Sequence, residues 1–484
     1  MDSVISNLKP QDVFKYFEEI SKIPRGSGNE KGISDYLVNF AKGLDLEVIQ
    51  DEALNIIIRK PGTPGYENSP YVILQGHMDM VNEKNSSTVH DFDKDPLKLR
   101  VVDDMLYATG TTLGADNGIA IAMAMAILSS KDIPHPPLEV LITTEEETGM
   151  GGAMKLDMSK LKGRMLINID SEEEGRLLVS CAGGVRVHMS LPVKREEVKQ
   201  GFKACTLYIK GLKGGHSGSE INKGRGNSIK ILGRVLNSLF SDFDIQLSSV
   251  NGGSKMNAIP REAEAVVLFN PSQVSRVKEN ISCWNETLRN ELHTSDPGIV
   301  LSLEECPIPK DALDKESCRM AIASLMLMPC GIKTMSMDIK GLVESSNNLG
   351  VLVTKDESII YECAIRSSVR SLKYAILEEI KQLAALTGST IETTGDYPEW
   401  QYNPISPIRD TFVRVYERLY NKEPDVYALH AGVECGLFKE KLPDLDMISF
   451  GVNLYDVHTP DEHLSISSTE RGYEYLCEVL KELK

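Results

Sequence analysis

Two histidines and a set of carboxylates stand where they can do chemistry together. His77 and Asp79 lie in GHMDMV, directly after the apolar run YVILQ (71–75). Glu145, Glu146 and Glu147 follow LEVLITT (138–144), and Asp170 closes MLINID (165–170). His458 follows DMISFGV (446–452) after a short loop, and Asp116 precedes the Ala- and Met-rich stretch 118–128. In an open α/β sheet, ligands bind beyond the carboxyl ends of the strands, so residues just after buried runs are the ones to weigh. Singly, each has a plain structural reading: a hydrogen-bonded histidine, an N-cap at Asp116, a solvated acidic run. Together, unneutralised acids beside buried strands carry a steep cost in desolvation and mutual repulsion, which a cation removes. Imidazole and carboxylate without thiolate suit zinc, manganese or cobalt in a hydrolytic centre. The charges of Asp116, Glu147 and Asp170 plus one bridging hydroxide are cancelled by two divalent ions, an arrangement that favours activating water.

The elements that must hold these residues are legible as texture. The three runs 71–75, 138–144 and 165–170 read as short strands buried on both faces, and 118–128 (GIAIAMAMAIL), free of proline, reads as a buried helix. Strand, helix and strand in alternation predict an α/β layer with a mostly parallel sheet. From about residue 187 the pattern changes. Strand-like segments 202–212 and 263–270 surround a helical stretch 227–239, and a comparable run recurs in 331–342, 350–365 and a helix near 372–386. The expected organisation is a discontinuous catalytic domain, residues 1–186 and 399–484, around an inserted α+β domain, 187–398. Two successive halves of that insert could be a degenerate internal duplication.

Composition excludes several classes of function. Among 484 residues, 70 acidic side chains face 53 basic ones, a formal charge of −17 that repels nucleic acid and anionic membrane. The nine cysteines include no CxxC pair and no dense framework, so reduced thiols in a cytoplasmic protein are expected. No basic segment followed by a long apolar run opens the sequence, and no stretch approaches the length of a membrane span, so a soluble protein without an export signal is expected.

In order along the chain, GHMDMV, LGADNG, TEEETG, INIDSEEEG, GGHSG, MNAIPREA and HTPDEH resemble the dizinc metallopeptidases that include aminoacylases, carboxypeptidase G and dipeptidase V. Longer strings, KNSSTVHDFDKDP (84–96), ATGTTLGADNG (108–118) and HAGVECGLF (430–438), make the likeness specific to the dipeptidases of that family that cut Xaa-His bonds. The resemblance implies a dizinc peptidase fold with the insert as a lid, and two Zn²⁺ per chain, with Mn²⁺ or Co²⁺ accepted by the same ligands. His77 and Asp170 would hold one ion, Glu147 and His458 the other, and Asp116 would bridge both. The family pattern Glu-Glu-x-Gly falls on Glu146-Glu147-Thr148-Gly149, which makes Glu146 the general base, and Asp79 resembles the acid that orients the ligand imidazole.

The reaction implied is hydrolysis of unblocked dipeptides, including Xaa-His types such as carnosine, by a metal-bridged hydroxide with Glu146 as base. In the lid, His216 of GGHSG resembles a histidine that helps bind the tetrahedral intermediate. Asn257 of MNAIPREA and Arg366 of AIRSS resemble residues that grip the substrate carboxylate. His430 and Glu434 form an i, i+4 pair after the strand-like DVYAL (425–429) and are both expected among the substrate-binding residues; a carboxylate near the metals suits a free α-ammonium, which assigns Glu434 that task as a hypothesis. Competing readings are an aminoacylase or carboxypeptidase-like amidohydrolase and a non-catalytic metal-binding homologue. The expected partner is a dipeptide, not nucleic acid or membrane, and both monomer and homodimer fit, since relatives dimerise through the lid and a duplicated lid can replace that contact.

Overall fold

The structure, a computed structural model, describes residue 5 and residues 7–484, which divide into two compact units. The first takes in the chain up to Ser180, Tyr402–Ala428 and Val433–Lys484; the second is Cys181–Gln401 with Leu429–Gly432.

The first unit is built on an eight-stranded sheet. Its spatial order is Glu47–Gln50, Ile56–Lys60, Leu138–Thr143, Val72–His77, Met165–Ser171, Asp446–Gly451, Arg176–Cys181, Asp425–Leu429. The four central strands, 138–143, 72–77, 165–171 and 446–451, run parallel, and antiparallel strands flank them. Both faces of the centre are covered, which is why those segments read as continuous apolar runs instead of alternating ones; 72–77 and 138–143 are buried at every position. Helix Ala115–Ser129, apolar on all sides, lies against strand 72–77 and beneath helix Gln11–Ile20. Gly76 permits that approach, because a Cβ there would meet the Asn117 side chain at 2.4 Å and the Ala120 methyl at 2.7 Å.

Asp116 does not cap this helix, so the plain structural reading weighed against a ligand role does not hold. Its backbone is non-helical, with φ −82° and ψ 103°, and its side chain bonds to His77 and His458 instead. The capping work is done from far along the chain. The carboxylate of Glu462, 2% exposed, accepts the N–H groups of Leu113, Gly114 and Ala115 at 2.8–2.9 Å and that of Asp116 at 3.3 Å.

The second unit carries a nine-stranded sheet with a duplication hidden in its order. Lys203–Lys210, helix Ser228–Asp242, Ile245–Gly252, Ala263–Phe269, helix Val274–Glu291 and Val300–Glu305 form a β-α-β-β-α-β motif whose strands lie in the order 4-1-3-2. Gly183–Pro192, helix Lys315–Leu327, Val343–Thr354, Ser358–Ser367, helix Arg370–Thr387 and Thr390–Tyr397 form a second, in the mirrored order 2-3-1-4. The motifs join at their second strands, where Gly252 pairs antiparallel with Leu352, so one sheet runs through both. The halves are nested and not successive: the whole first motif is inserted into the first crossover of the second. A tandem reading misses this because the strand 183–192 lies on the far side of the inserted motif from the rest of its own half.

Candidate metal centre

The parallel strands deliver their terminal residues to one end of the sheet. His77 ends strand 72–77, Asp170 lies near the end of 165–171, and Glu146 and Glu147 sit in the turn after 138–143. His458 comes from the loop that follows Leu454–Tyr455. This loop and the acidic turn are held in unusual backbone, with Glu145 at φ 52° and His458 at φ 62°, left-handed conformations that non-glycine residues keep only when their surroundings enforce them.

His77 Nε2 lies 3.2 Å from Asp116 Oδ1 and 3.4 Å from Asp170 Oδ1. His458 Nε2 lies 3.2 Å from Asp116 Oδ2 and 3.0 Å from Glu147 Oε2. Asp116 therefore gives one oxygen to each histidine. Two groups of possible ligand atoms result, His77–Asp116–Asp170 and Asp116–Glu147–His458, each with its atoms within 4.8 Å of one another; a third, His77–Glu146–Glu147, overlaps them.

The protonation pattern tests whether a cation fits. His77 Nδ1 faces the Asp79 carbonyl oxygen at 3.2 Å and Asp79 Oδ1 at 3.3 Å, both acceptors, so Nδ1 carries the proton. The Nε2 lone pair then points at two carboxylate oxygens. Acceptor against acceptor in a site where His77 is 1% exposed is relieved only by a positive charge, either a proton or a metal. In the metal-free chain protons supply it. Burial opposes a charged His77, but the neighbouring Asp170, Asp116 and Asp79 carry its pKa well above the usual value. His458 is raised to about 10 by its bonds to Asp116 and Glu147. Burial also works against Asp116, yet the bonds from His458 and His77 hold it below the usual carboxylate range. Asp170 is pushed up to about 6 by burial and by Asp116 and Glu147. Glu146, buried beside Asp170, Glu434 and Glu147 and lacking a histidine bond, is pushed up to about 9. The donor set, two imidazoles among at least four carboxylates, fits divalent cations.

Asp79, fully buried, ties the ligand histidine to the acidic turn. Besides facing His77, its carboxylate accepts the N–H of Glu146 at 3.1 Å, the N–H of Glu147 at 3.2 Å and the Ser27 hydroxyl at 2.8 Å. Glu145, the third acid of the run, turns outward to Lys155 at 3.3 Å.

Two positioning residues carried no sequence signal strong enough to single them out. Arg25, 1% exposed, donates to the carbonyls of Met78, Asp79 and Gly114 and so links the His77 loop to the Asp116 turn. Glu462 stands inside the quoted motif HTPDEH, four residues beyond His458, and is the one buried residue of that motif, so its place in the motif was the available signal.

Glu434 begins helix Glu434–Lys441 and is 1% exposed. Its Oε2 accepts from Gln75 Nε2 at 2.7 Å and Thr143 Oγ1 at 2.9 Å, and burial raises its carboxyl to about 7.

Within the second unit, His216, Asn257, Arg366 and His430 are neighbours. His216 lies in Gly215–His216, which pairs with Ala258–Ile259, one residue past Asn257. Its Nδ1 accepts the N–H groups of Gly218 at 3.3 Å and Ser219 at 3.2 Å, so the proton sits on Nε2, leaving that nitrogen a donor. His430, 6% exposed, bonds through Nε2 to Ser346 Oγ at 2.7 Å, and Ser346 is the cross-strand partner of Arg366. Burial, with the charge of Arg366, pushes His430 down to about 3. Asn257 and Arg366 line a cavity of about 400 Å³ with Arg186, Lys255 and Tyr397, whose hydroxyl accepts from Arg366 Nη1 at 2.8 Å.

Comparison with known proteins agrees with this architecture. Residues 73–482 match the sequence pattern of Peptidase family M20/M25/M40. The chain is 42% identical over 481 residues to the cytosol non-specific dipeptidase of Escherichia coli, covering 99% of each. It superposes on the crystal structure of aminoacylhistidine dipeptidase from Vibrio alginolyticus with a TM-score of 0.97 and 39% identity, covering 99% of this chain and 98% of that one. Aminopeptidase PepT from Bacillus cereus, 15% identical with a TM-score of 0.58 over 98% of this chain and 99% of that one, shares the fold. On the extent of these matches, the chain belongs to peptidase family M20/M25/M40.

Proposed function

We propose that the chain is a metal-dependent dipeptidase that hydrolyses unblocked dipeptides, Xaa-His types included, with two zinc ions, or manganese or cobalt in their place. The observation that carries this reading is Asp116, whose two oxygens each face a different histidine, flanked by Asp170 on one side and Glu147 on the other. His77, Asp116 and Asp170 are assigned to one ion and Asp116, Glu147 and His458 to the other. Bound there, the ions would polarise the scissile carbonyl and acidify the attacking water.

The chain's own groups supply the rest. Glu146 has no histidine bond, and burial beside other acids keeps its carboxyl protonated in the metal-free chain; with divalent cations beside it the carboxyl would ionise and could take a proton from water and return it to the leaving amine nitrogen. Asp79 keeps the His77 proton on Nδ1 and fixes the turn that carries Glu146. In the second unit, the Nε2–H of His216 is assigned to the developing oxyanion, and Asn257 and Arg366 to the substrate carboxylate, for which a guanidinium fork is suited. His430 is assigned to holding the Arg366 neighbourhood through Ser346. The cytoplasm is the compartment proposed, from cysteine usage and from the likeness to the cytosol non-specific dipeptidase of Escherichia coli.

The test is a panel of free and N-acetylated dipeptides offered to metal-stripped and reconstituted protein. Hydrolysis of the free dipeptides, abolished by chelation and restored by zinc, manganese or cobalt, is expected. Preference for the N-acetylated compounds would make the chain an aminoacylase instead, and activity independent of metal would overturn the reading.

A further inference from the structure

Three strands converge on a carboxylate that the metal centre leaves unused. Asn168 Nδ2 donates to Gln75 Oε1 at 2.5 Å, Gln75 Nε2 donates to Glu434 Oε2 at 2.7 Å, and Thr143 Oγ1 donates to the same oxygen at 2.9 Å. All four side chains are buried. The chain of bonds has one direction, so the Gln75 amide cannot turn over without losing both of its contacts. The other oxygen of Glu434, Oε1, is buried and has no hydrogen-bond partner. Glu434 belongs to none of the three ligand groups.

A carboxylate sealed from water with two neutral donors on one oxygen and nothing on the other is a costly arrangement, and a glutamine would satisfy the same network without a charge. What a carboxylate adds is attraction for a cation. Its position limits which one. Gln75 lies one row of side chains behind His77 on the same face, about 7 Å along the strand, while Thr143 is the register partner of His77, so Glu434, bonded to both Gln75 and Thr143, lies within one row of the ligands. In a peptide the α-ammonium nitrogen lies about 2.5 Å from the scissile carbonyl carbon. A charge-assisted hydrogen bond adds about 2.8 Å, which brings the span close to one row.

We infer that Glu434 Oε1 is the receptor for the substrate's free α-ammonium group, which makes this carboxylate the determinant that restricts the site to unblocked N-termini. The inference rests on the dipeptidase reading and deepens it by naming the group that selects the substrate class. Gln75, Thr143 and Asn168 are positioning residues that hold the carboxylate through Oε2 and leave Oε1 to the ligand.

The test uses metal-loaded wild-type protein and the near-isosteric variant Glu434→Gln. For a free dipeptide the variant is expected to lose about 100-fold in kcat/KM, chiefly through KM, with its metal content unchanged and its preference for free over N-acetylated dipeptide largely lost. An unchanged ratio between free and N-acetylated substrates in Glu434→Gln would overturn the inference. Calorimetric binding of L-leucine against 4-methylpentanoate, the same molecule without its amine, gives a readout that needs no turnover. Wild type is expected to favour leucine strongly and Glu434→Gln to lose most of that preference. If Glu434→Gln does not fold, Glu434→Asp, which withdraws the charge by one methylene, is expected to lose at least tenfold of the preference, and full retention would contradict the assignment. A wild-type protein that hydrolyses no dipeptide with metal restored would instead defeat the dipeptidase reading, an outcome separate from these.

Discussion

Among the acids of the centre, Asp116, Glu147 and Asp170 lie within 3.4 Å of a histidine Nε2, Asp79 faces Nδ1 of His77 instead, and Glu146 and Glu434 have no histidine bond. That asymmetry separates groups suited to holding a cation from those left to orient a ligand or to act on water or substrate. Glu146→Gln is therefore expected to keep both ions and to lose about 10²- to 10⁴-fold in turnover. Metal analysis beside steady-state kinetics checks this, and full turnover in a metal-loaded variant would contradict the role. His430 gives a prediction in stability instead of activity. An unfolded histidine titrates near 6.5 and His430 in the folded chain near 3, so the folded state binds fewer protons between those values. Its contribution is full above about pH 6.5 and is lost as pH falls toward about 3. Urea midpoints measured from pH 7 to pH 4 should fall more steeply for wild type than for His430→Gln, and parallel profiles would refute the linkage.

Elements, more than single residues, decide how much of this was legible in advance. The strands ending near His77, Glu147 and Asp170 were readable because parallel strands covered on both faces must be apolar runs, and a charged residue after such a run stands out. The helix 115–129 was readable from its composition, but its start was not. An aspartate ahead of an apolar helical run looks like a cap, and the true cap, Glu462, is hundreds of residues away, beyond the reach of any local pattern. Arg25 was hidden for the same reason. Because Glu462 fixes the backbone that carries Asp116 without touching the ligand carboxylate, Glu462→Gln is expected to weaken metal binding by about 10- to 100-fold with far-UV circular dichroism unchanged. Metal affinity equal to wild type would show the cap to be dispensable.

Among the described residues, each unit has a large hydrophobic core of its own, and the second also has a small cluster around Phe202 and Leu268. The doubled β-α-β-β-α-β pattern of the second was only half legible, since nesting one motif in the crossover of the other removes any fixed repeat period. Ions bound solely by the first unit stabilise it by mass action, by about 4 kcal/mol at a thousandfold excess over Kd. Chelation is accordingly expected to speed hydrogen exchange in strands 72–77, 138–143 and 165–171 and to leave 203–210 and 343–354 unchanged. A uniform change across both units would contradict the assignment of the ligands to one of them. The charge of −17 is in the main surface charge, and two ions would offset only a small part of it.

The proposal at stake is that dipeptide hydrolysis needs two ions, which His77, Asp116, Glu147, Asp170 and His458 would hold. It is tested most directly by titrating metal-stripped protein with zinc while following cleavage of a free dipeptide and counting bound zinc in the same samples. Activity that reaches its plateau at two equivalents per chain is the predicted result. A plateau at one equivalent, or activity without metal, would contradict it.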